Sequence, residues 1–294
     1  MKLYAPSYYK KFRCVADKCE HSCCIGWEID IDRDTLKKYK KLKNDYRDAI
    51  IDSISMQHTP HFKLEGGDRC PHLDERGLCK IIMHVGEEYL CDICREHPRF
   101  YNYTRVAEVG VGMSCTEAAK IILSSADYAV MECIGELDAD DDAVDFDGRI
   151  EREKIYTILQ DADCAYTNKL DRICHAYSID VCDDTYYLEI LSSLEYLDTA
   201  HKSLFMNYSS THRPSGADEY LERFFACFVY RHCTEAVDLD DFCDRLTFCL
   251  FCERLFASLI CSEHPTSLQE FATLATVISE EIEYSDDNTL SLTY

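Results

Sequence analysis

Residues 12–32 read FRCVADKCEHSCCIGWEIDID, and this stretch sets the character of the N-terminal part of the chain. It contains Cys14, Cys19 and the adjacent pair Cys23 and Cys24. A cysteine pair that is followed within three residues by Gly26 and Trp27 is a poor segment for an apolar core. Closely spaced thiols are instead typical of metal ligands. The stretch therefore predicts an irregular, metal-stabilised N-terminal part.

The cysteine pattern continues beyond this stretch. Cys70 and Cys79 are separated by eight residues, and Cys91 and Cys94 by two. Cys115 stands alone where a helix is predicted to start, and unpaired amides at a helix start stabilise a thiolate. We interpret these cysteines as candidate ligands and not as small core residues.

The cysteines of the second half have a different setting. They lie in apolar helical patterns with many phenylalanines, so we interpret them as core residues. Cys249 and Cys252 have the spacing of a ligand pair, but one turn of a helix produces the same spacing. The core set is Cys227, Cys233, Cys243, Cys249, Cys252 and Cys261.

Spacing alone does not separate zinc from iron. Nine thiols can supply two four-coordinate sites, or one cluster with additional thiols around it. The three-cysteine motif of the common radical enzymes is absent: Cys19 and Cys23 have its first spacing, but Gly26 stands where the third cysteine belongs.

The composition is that of a globular protein, with 47% hydrophobic and 29% charged residues among 294. Nineteen cysteines are an odd number, residues 1–12 hold no apolar run of a signal peptide, and no run approaches the ~18 apolar residues of a membrane span. We therefore expect a cytoplasmic protein with reduced thiols and no membrane partner.

The charge is strongly acidic, at −24, which disfavours a nucleic-acid partner. Residues 138–294 carry 11 Lys and Arg against 33 Asp and Glu, a net charge of −22. This acidity either keeps the protein in solution or attracts a lysine-rich protein.

Few prolines and glycines favour a mostly α fold. A basic helix is predicted over residues 35–54 with Asp32 or Asp34 as its cap, and Ser114 and Glu117 have the spacing of a capping box. The acidic run at residues 138–148 is the predicted linker between a cysteine-rich domain, residues 1–137, and an acidic helical domain, residues 149–294. A weakly ordered tail is expected from residue 286.

Four blocks of sequence resemble the flagellin lysine N-methylase family in their residues, order and spacing. They are residues 12–32, CPHLDERGLCKI at 70–81, GEEYLCDICREHPRF at 86–100 and SCTEAAKIIL at 114–123. The resemblance covers about the first 125 residues well and is weaker beyond them, although EEIEYSDDN at 280–288 is similar to the family. His97 and Thr116 depart from it, where an aromatic residue and a proline are frequent.

The resemblance implies an iron–sulfur protein, of the 4Fe-4S type, that transfers methyl groups from S-adenosylmethionine to lysines of a flagellin-like protein substrate. Cys91 is a less firm part of the family pattern. By position, the implied cluster ligands lie among Cys14, Cys19, Cys23, Cys24, Cys70, Cys79, Cys94 and Cys115.

The residues themselves do not reveal a methyl-transfer site, because the glycine-rich turn of a Rossmann fold is missing. Trp27, the single tryptophan, is a candidate to stack on adenine, to flank the methylene chain of a lysine or to pack over the cluster. Arg99 is a candidate to bind a carboxylate or to be an ordinary ion-paired arginine. No catalytic base is identified. The alternative to an enzyme is a non-catalytic cysteine-rich protein that chelates zinc or iron.

Overall fold

The computed structural model describes residues 1–19, 21–137, 145–180 and 183–293. Residues 138–144 of the predicted linker lie outside these ranges. Helices predominate over strands in the described chain, which confirms the prediction of a mostly α fold.

The elements are as follows. The strands are β1 (Lys2–Pro6), β2 (Ile54–Ser55), β3 (His61–Phe62), β4 (Arg99–Tyr103), β5 (Ala107–Val111) and β6 (Met131–Glu136). The α-helices are α1 (Arg33–Lys41), α2 (Arg47–Asp52), α3 (Lys80–Val85), α4 (Asp92–Glu96), α5 (Thr116–Ser124), α6 (Gly148–Leu159), α7 (Tyr166–Tyr177), α8 (Asp184–Ser193), α9 (Thr199–Phe205), α10 (Asp218–Phe228), α11 (Leu239–Glu263), α12 (Leu268–Ile278) and α13 (Asp286–Thr293). Two π-helical segments, Val229–Cys233 and Ser279–Glu283, follow α10 and α12.

The chain divides into two compact units. One consists of Met1–Phe12 and Pro98–Tyr294, and we call it the helical unit; the other, Arg13–His97, is the cysteine unit. The sequence predicted a division at residues 138–148, whereas the two units meet after residues 12 and 97. The reason is long-range strand pairing, which brings residues near both ends of the predicted first domain into the helical unit.

A four-stranded sheet in the order β4-β5-β1-β6 anchors the helical unit. Strand β1 pairs in parallel with β5 and antiparallel with β6, while β4 and β5 form an antiparallel hairpin. All five residues of β5 are buried. A strand buried on both faces must satisfy its backbone groups within the sheet, and the neighbours β1 and β4 do so.

The helices pack their apolar faces into one large core. Helix α11 runs through it with 14 buried residues, among them Phe242, Phe251 and Phe256. Its start is fixed by Asp238, whose side chain accepts a hydrogen bond from the Asp241 amide.

A buried ion pair joins the sheet to this core. The Arg152 guanidinium of α6 donates to both carboxylate oxygens of Glu108 in β5, over 2.6 and 2.9 Å, and to the Thr234 hydroxyl over 2.8 Å. Both ionic side chains are almost fully excluded from solvent. This bidentate geometry offsets much of the cost of burying two charges.

The cysteine unit has a much smaller apolar core. Tyr39, Ile50 and Phe62 are its most deeply buried large side chains, and Cys70 and Cys91 are part of it. Asp32 organises the unit: one carboxylate oxygen accepts from the Thr35 amide at the start of α1, and the other accepts from the Asp92 amide at the start of α4.

Three local predictions need correction. The predicted helix over 35–54 is interrupted between α1 and α2, although Asp32 does cap it. The prediction of a capping box at Ser114 is wrong. The Ser114 hydroxyl donates to the Tyr284 hydroxyl, and α5 has no side-chain cap. The tail forms helix α13, which buries Asn288 and Leu292.

Within the described ranges, no helix combines the length and the apolar character needed to cross a bilayer.

The ion pair of Arg152 yields a stability prediction. Arg152→Met should lower the free energy of unfolding by about 3–5 kcal/mol, because it leaves the Glu108 carboxylate buried without its counter-ion. Urea denaturation followed by circular dichroism measures this. Lys154→Ala is the matched control, since the Lys154–Glu151 pair on the same helix is largely exposed at its lysine end and should contribute under about 1 kcal/mol. Equal losses in the two variants would contradict the assignment.

A second buried charge has no such partner. Glu253 on α11 is fully buried, and among the described residues no donor reaches its carboxylate with good hydrogen-bond geometry, although the nearby Tyr166 hydroxyl interacts with it. Burial raises the pKa of this carboxyl to about 7, against the opposing effect of Arg213 and Arg254.

This shift predicts a pH-dependent stability. The folded state holds the Glu253 proton more tightly than the unfolded chain does, so the free energy of unfolding falls as pH rises from about 4.5 to about 7. Glu253→Gln should remove this fall, which is on the order of 3 kcal/mol. The free energy of unfolding of the variant, relative to that of the wild type, should therefore be higher at pH 8 than at pH 5. Urea denaturation at the two pH values measures it. Glu263→Gln, at the exposed end of α11, should keep the wild-type pH dependence.

Candidate metal centre

The thiols of the cysteine unit lie at the edge of its small core. Cys70 and Cys91 are buried, and Cys24, Cys79 and Cys94 pack against the core while remaining half-buried. These five residues are called the thiol group below. Short backbone links position them, since each lies at a loop or at the start of a short helix.

Three segments converge to form the thiol group. The Cys70 amide donates to the Cys24 carbonyl over 2.9 Å, which joins the first cysteine stretch to the second. Cys79 pairs with Leu73 in an antiparallel bridge and immediately precedes α3. Cys91 precedes α4, and Cys94 lies within that helix one turn later.

The members of the thiol group shift one another's pKa values. A hydrogen bond with Cys91, burial and the neighbouring thiolates of Cys24 and Cys70 raise the pKa of Cys94. Burial raises the pKa of Cys70 to about 12, and Cys24, Cys79 and Cys91 contribute to the increase. Several thiolates cannot coexist in this small volume unless a cation compensates their charge.

Two members of the thiol group have lowered pKa values. A hydrogen bond with Cys23 lowers the pKa of Cys24 to about 7, although burial opposes it, and Ser22 and Arg69 add to the lowering. A hydrogen bond with Cys94 likewise lowers the pKa of Cys91, and the Tyr39 hydroxyl lies 3.5 Å from the Cys91 sulfur. These two thiols ionise first, which is the state that binds metal.

The remaining predicted ligands have other positions. Cys14 and Cys23 are exposed, and the Cys19 thiol donates to the His21 carbonyl over 2.7 Å. Cys115 belongs to the helical unit, half-buried at the N-cap position of α5. The structure therefore groups Cys24, Cys70, Cys79 and Cys94 of the predicted set, with Cys91 among them.

His72 lies close to the thiol group and was not singled out from the sequence. Its Nδ1 is 2.9 Å from the Tyr46 hydroxyl and its Nε2 is 2.9 Å from the Ser53 hydroxyl. Burial lowers its pKa to about 4, and Lys80 adds to this effect. Because both ring nitrogens are engaged, this histidine supports the unit and is not a metal ligand in this arrangement. A histidine directly after Cys70-Pro71 is the signal that could have identified it.

Trp27 and Arg99 lie in different units. Trp27 is half-buried in the cysteine unit, with its ring centroid 6.2 Å from that of His97 in an edge-on arrangement. Arg99, in β4 of the helical unit, donates to the Tyr9 hydroxyl over 3.0 Å and lies 5.6 Å from the centroid of Phe12. Arg99 thus has local structural partners within its own unit.

A carboxylate–histidine set lies on the surface of the cysteine unit. Asp30 and His61 are opposite each other in an antiparallel bridge, with Glu28 beside them, and their ligand atoms all lie within 4.8 Å of one another. Among the described residues, no three thiols meet this distance. Four sulfur atoms around one tetrahedral zinc would be about 3.8 Å apart, given a Zn–S bond of about 2.3 Å.

The helical unit uses its cysteines for packing, as predicted for most of them. Cys227, Cys233, Cys249 and Cys252 are buried in the main core, with the Cys233 and Cys249 sulfur atoms 3.8 Å apart. Cys243 and Cys261 are only partly buried. Burial raises the pKa of Cys227 to about 12, so that thiol stays protonated.

Comparison with known proteins gives relatives for part of the chain. A flagellar biosynthetic protein, FliU of Salmonella muenchen, is 30% identical over 134 residues, which are 42% of this chain and 77% of that protein. The lysine-N-methylases of Salmonella typhimurium and Salmonella choleraesuis are each 28% identical over 134 residues. The chain spans about a third of the length of these two enzymes. No family model and no solved structure matches the chain.

The two settings of cysteine predict different effects of substitution. Cys94→Ala should lose bound metal because it removes a member of the thiol group. Cys23→Ala should lose it because it removes the hydrogen-bond partner of Cys24. Cys249→Ala should retain the metal and lower the free energy of unfolding by about 1 kcal/mol. Metal analysis of anaerobically purified variants, with urea denaturation, measures both. Equal metal loss in all three variants would show that the division of the cysteines is incorrect.

Proposed function

Because the chain belongs to the flagellin lysine N-methylase family, we propose that it transfers methyl groups from S-adenosylmethionine to lysine side chains of a protein. The observation that carries this proposal is the similarity to relatives named lysine-N-methylase. A flagellin-like substrate is proposed because another relative is named a flagellar biosynthetic protein.

The proposed reaction is a nucleophilic substitution. The ε-amino nitrogen of lysine attacks the methyl carbon, and the bond from that carbon to the sulfonium sulfur breaks with its electron pair passing to sulfur. S-adenosylhomocysteine and methyllysine are the products. The ammonium form of lysine cannot attack, so a base must accept its proton. The protein's part is to orient the two substrates and to favour the neutral amine.

We propose an iron–sulfur cluster as the metal centre of the cysteine unit. The donor set supports this, because soft thiolates dominate it and act on one another within a small volume. Bound there, such a cluster would supply a Lewis-acidic iron.

The proposed cluster ligands come from two sets of cysteines. Cys24, Cys70, Cys79, Cys91 and Cys94 form the thiol group that would hold it. Cys14, Cys19 and Cys23 of the same unit are kept as further proposed ligands on the family resemblance. Cys115 belongs to the helical unit, and its role as a ligand stays a prediction from the resemblance.

The net charge of −22 on residues 138–294 supports a basic or lysine-rich protein partner. A negative surface raises the local concentration of a cationic substrate and speeds encounter, more than it strengthens the bound complex. The effect is confined to about 8 Å at physiological salt.

The alternative function is metal binding without catalysis. It is favoured by the limited extent of the similarity, which leaves more than half of this chain and about two thirds of the lysine-N-methylases unmatched. Turnover distinguishes the two functions.

The proposal predicts methyl incorporation. Anaerobically purified protein should contain iron and acid-labile sulfide, and should transfer labelled methyl from S-adenosylmethionine to a flagellin, with the modified lysines located by mass spectrometry. The initial rate at low substrate concentration should fall as salt is raised, if the acidic half steers the substrate. Cys94→Ala is the inactive control, and Cys249→Ala the active one. Colourless protein that holds zinc, no sulfide and no activity would establish the alternative.

A further inference from the structure

A cavity of about 770 Å³ opens in the cysteine unit at the loop between Cys70 and Cys79. Its volume lies in the range of small-molecule sites, but it is open to solvent and lacks their usual apolar lining. Its lining is almost entirely charged, which suits a small charged ligand and not an apolar one. The lining residues are Glu65, Arg69, Leu73, Asp74, Glu75, Arg76 and Lys80.

Two of the lining cations are held in place by neutral partners. A guanidinium nitrogen of Arg69 donates to the Asp74 carbonyl, and the Lys80 ammonium donates to the Pro71 carbonyl over 3.1 Å. A backbone carbonyl orients a cation without neutralising its charge. Both side chains are only partly exposed, so each presents a fixed positive charge at the cavity.

The third cation is already neutralised. Arg76 donates through Nε and Nη2 to one Asp74 oxygen, over 3.1 and 3.0 Å. The other Asp74 oxygen accepts from the amides of Arg76 and Leu78. Asp74 and Arg76 therefore build the turn that forms one wall.

Two lining carboxylates complete the pattern. Glu65 and Glu75 are exposed, and in the described part of the chain their side chains have no hydrogen-bond or ion-pair partner. The cavity thus presents the cations of Arg69 and Lys80 and the carboxylates of Glu65 and Glu75. Among the described residues no carboxylate forms an ion pair with either cation, and Arg69 also acts on the Cys24 thiol. A ligand with both an ammonium and a carboxylate group matches this arrangement.

The position of the cavity relates it to the thiol group. Arg69 is covalently adjacent to Cys70, and Lys80 is adjacent to Cys79. The cavity is therefore built on the same loop that carries two of the proposed metal ligands.

We propose that this cavity binds the zwitterionic amino-acid end of S-adenosylmethionine, with its carboxylate at Arg69 and Lys80 and its ammonium group at Glu65 and Glu75. This inference rests on the proposed function, which supplies the identity of the ligand. The chemistry recognised is that of an α-amino acid, so free amino acids are the competing source of the same head group.

Isothermal titration of the full chain under anaerobic conditions tests the proposal. The probes are S-adenosylhomocysteine, 5′-methylthioadenosine, which lacks the amino-acid part, and free methionine. S-adenosylhomocysteine should bind at least about tenfold more tightly than methylthioadenosine, because only the former has the zwitterionic end. Lys80→Met and Glu75→Gln should each weaken the binding of S-adenosylhomocysteine about five- to tenfold and leave the binding of methylthioadenosine unchanged.

Lys63→Met is the matched control. The Lys63 ammonium also donates to a backbone carbonyl, that of Asp52 over 2.9 Å, but Lys63 does not line the cavity. This variant should bind all three probes as wild type does. Metal content and the absorption spectrum are recorded for every variant, because Lys80 adjoins Cys79. Glu75 is exposed, so its replacement leaves the fold intact.

The outcomes separate this inference from the proposed function. Tight binding of S-adenosylhomocysteine that neither substitution weakens would overturn the cavity assignment and leave the proposed function standing. Binding of free methionine that depends on Lys80, without binding of S-adenosylhomocysteine, would retain the amino-acid site and overturn the methyl donor. If no zwitterionic probe binds, the cavity assignment is overturned.

Discussion

The free-energy cost of ionising several clustered thiols together is the constraint on which the cysteine unit depends. Cys70, Cys91 and their neighbours are close enough for each thiolate to raise the pKa of another, and partial burial removes the water that would screen them. The unit has only a small apolar core around Tyr39 and Phe62 to stabilise it. A cation bound among the thiolates would relieve the repulsion and add stability that this core does not supply.

In the helical unit, buried charged side chains form ion pairs. Arg152 and Glu108 satisfy each other bidentately, and Glu283 on the second π-helical segment accepts from Arg231 and His232 on the first. The two irregular helical turns therefore carry the residues of one ionic network. π-Helical segments are frequent at functional sites. Here they bring a guanidinium, a carboxylate and an imidazole whose pKa is lowered by burial into one largely buried cluster. Glu253 is the exception, and its burial raises its pKa to about 7.

The two units differ in how they use the same residue. In the helical unit, cysteines such as Cys249 and Cys252 are small apolar side chains in a large core, where burial raises their pKa values and keeps the thiols protonated. In the cysteine unit, hydrogen bonds from neighbouring thiols instead lower the pKa values of Cys24 and Cys91. The surroundings of a cysteine therefore decide whether its thiol stays protonated in a core or ionises more readily.

The sequence alone determined the mostly α character and the separation of two cysteine populations, because these depend on local spacing and composition. It also narrowed the cap of the first helix to Asp32 or Asp34. It also indicated the family, since the four quoted blocks lie in one order. Only the tertiary structure decided the unit boundaries, because β1 pairs with β5 and β6 across more than a hundred residues. The tertiary structure likewise placed Cys91 inside the thiol group and brought Arg69 and Lys80 to one cavity. It also gave both ring nitrogens of His72 a hydroxyl partner. Such convergence depends on long-range backbone pairing and on the exclusion of water, neither of which is visible in local sequence patterns.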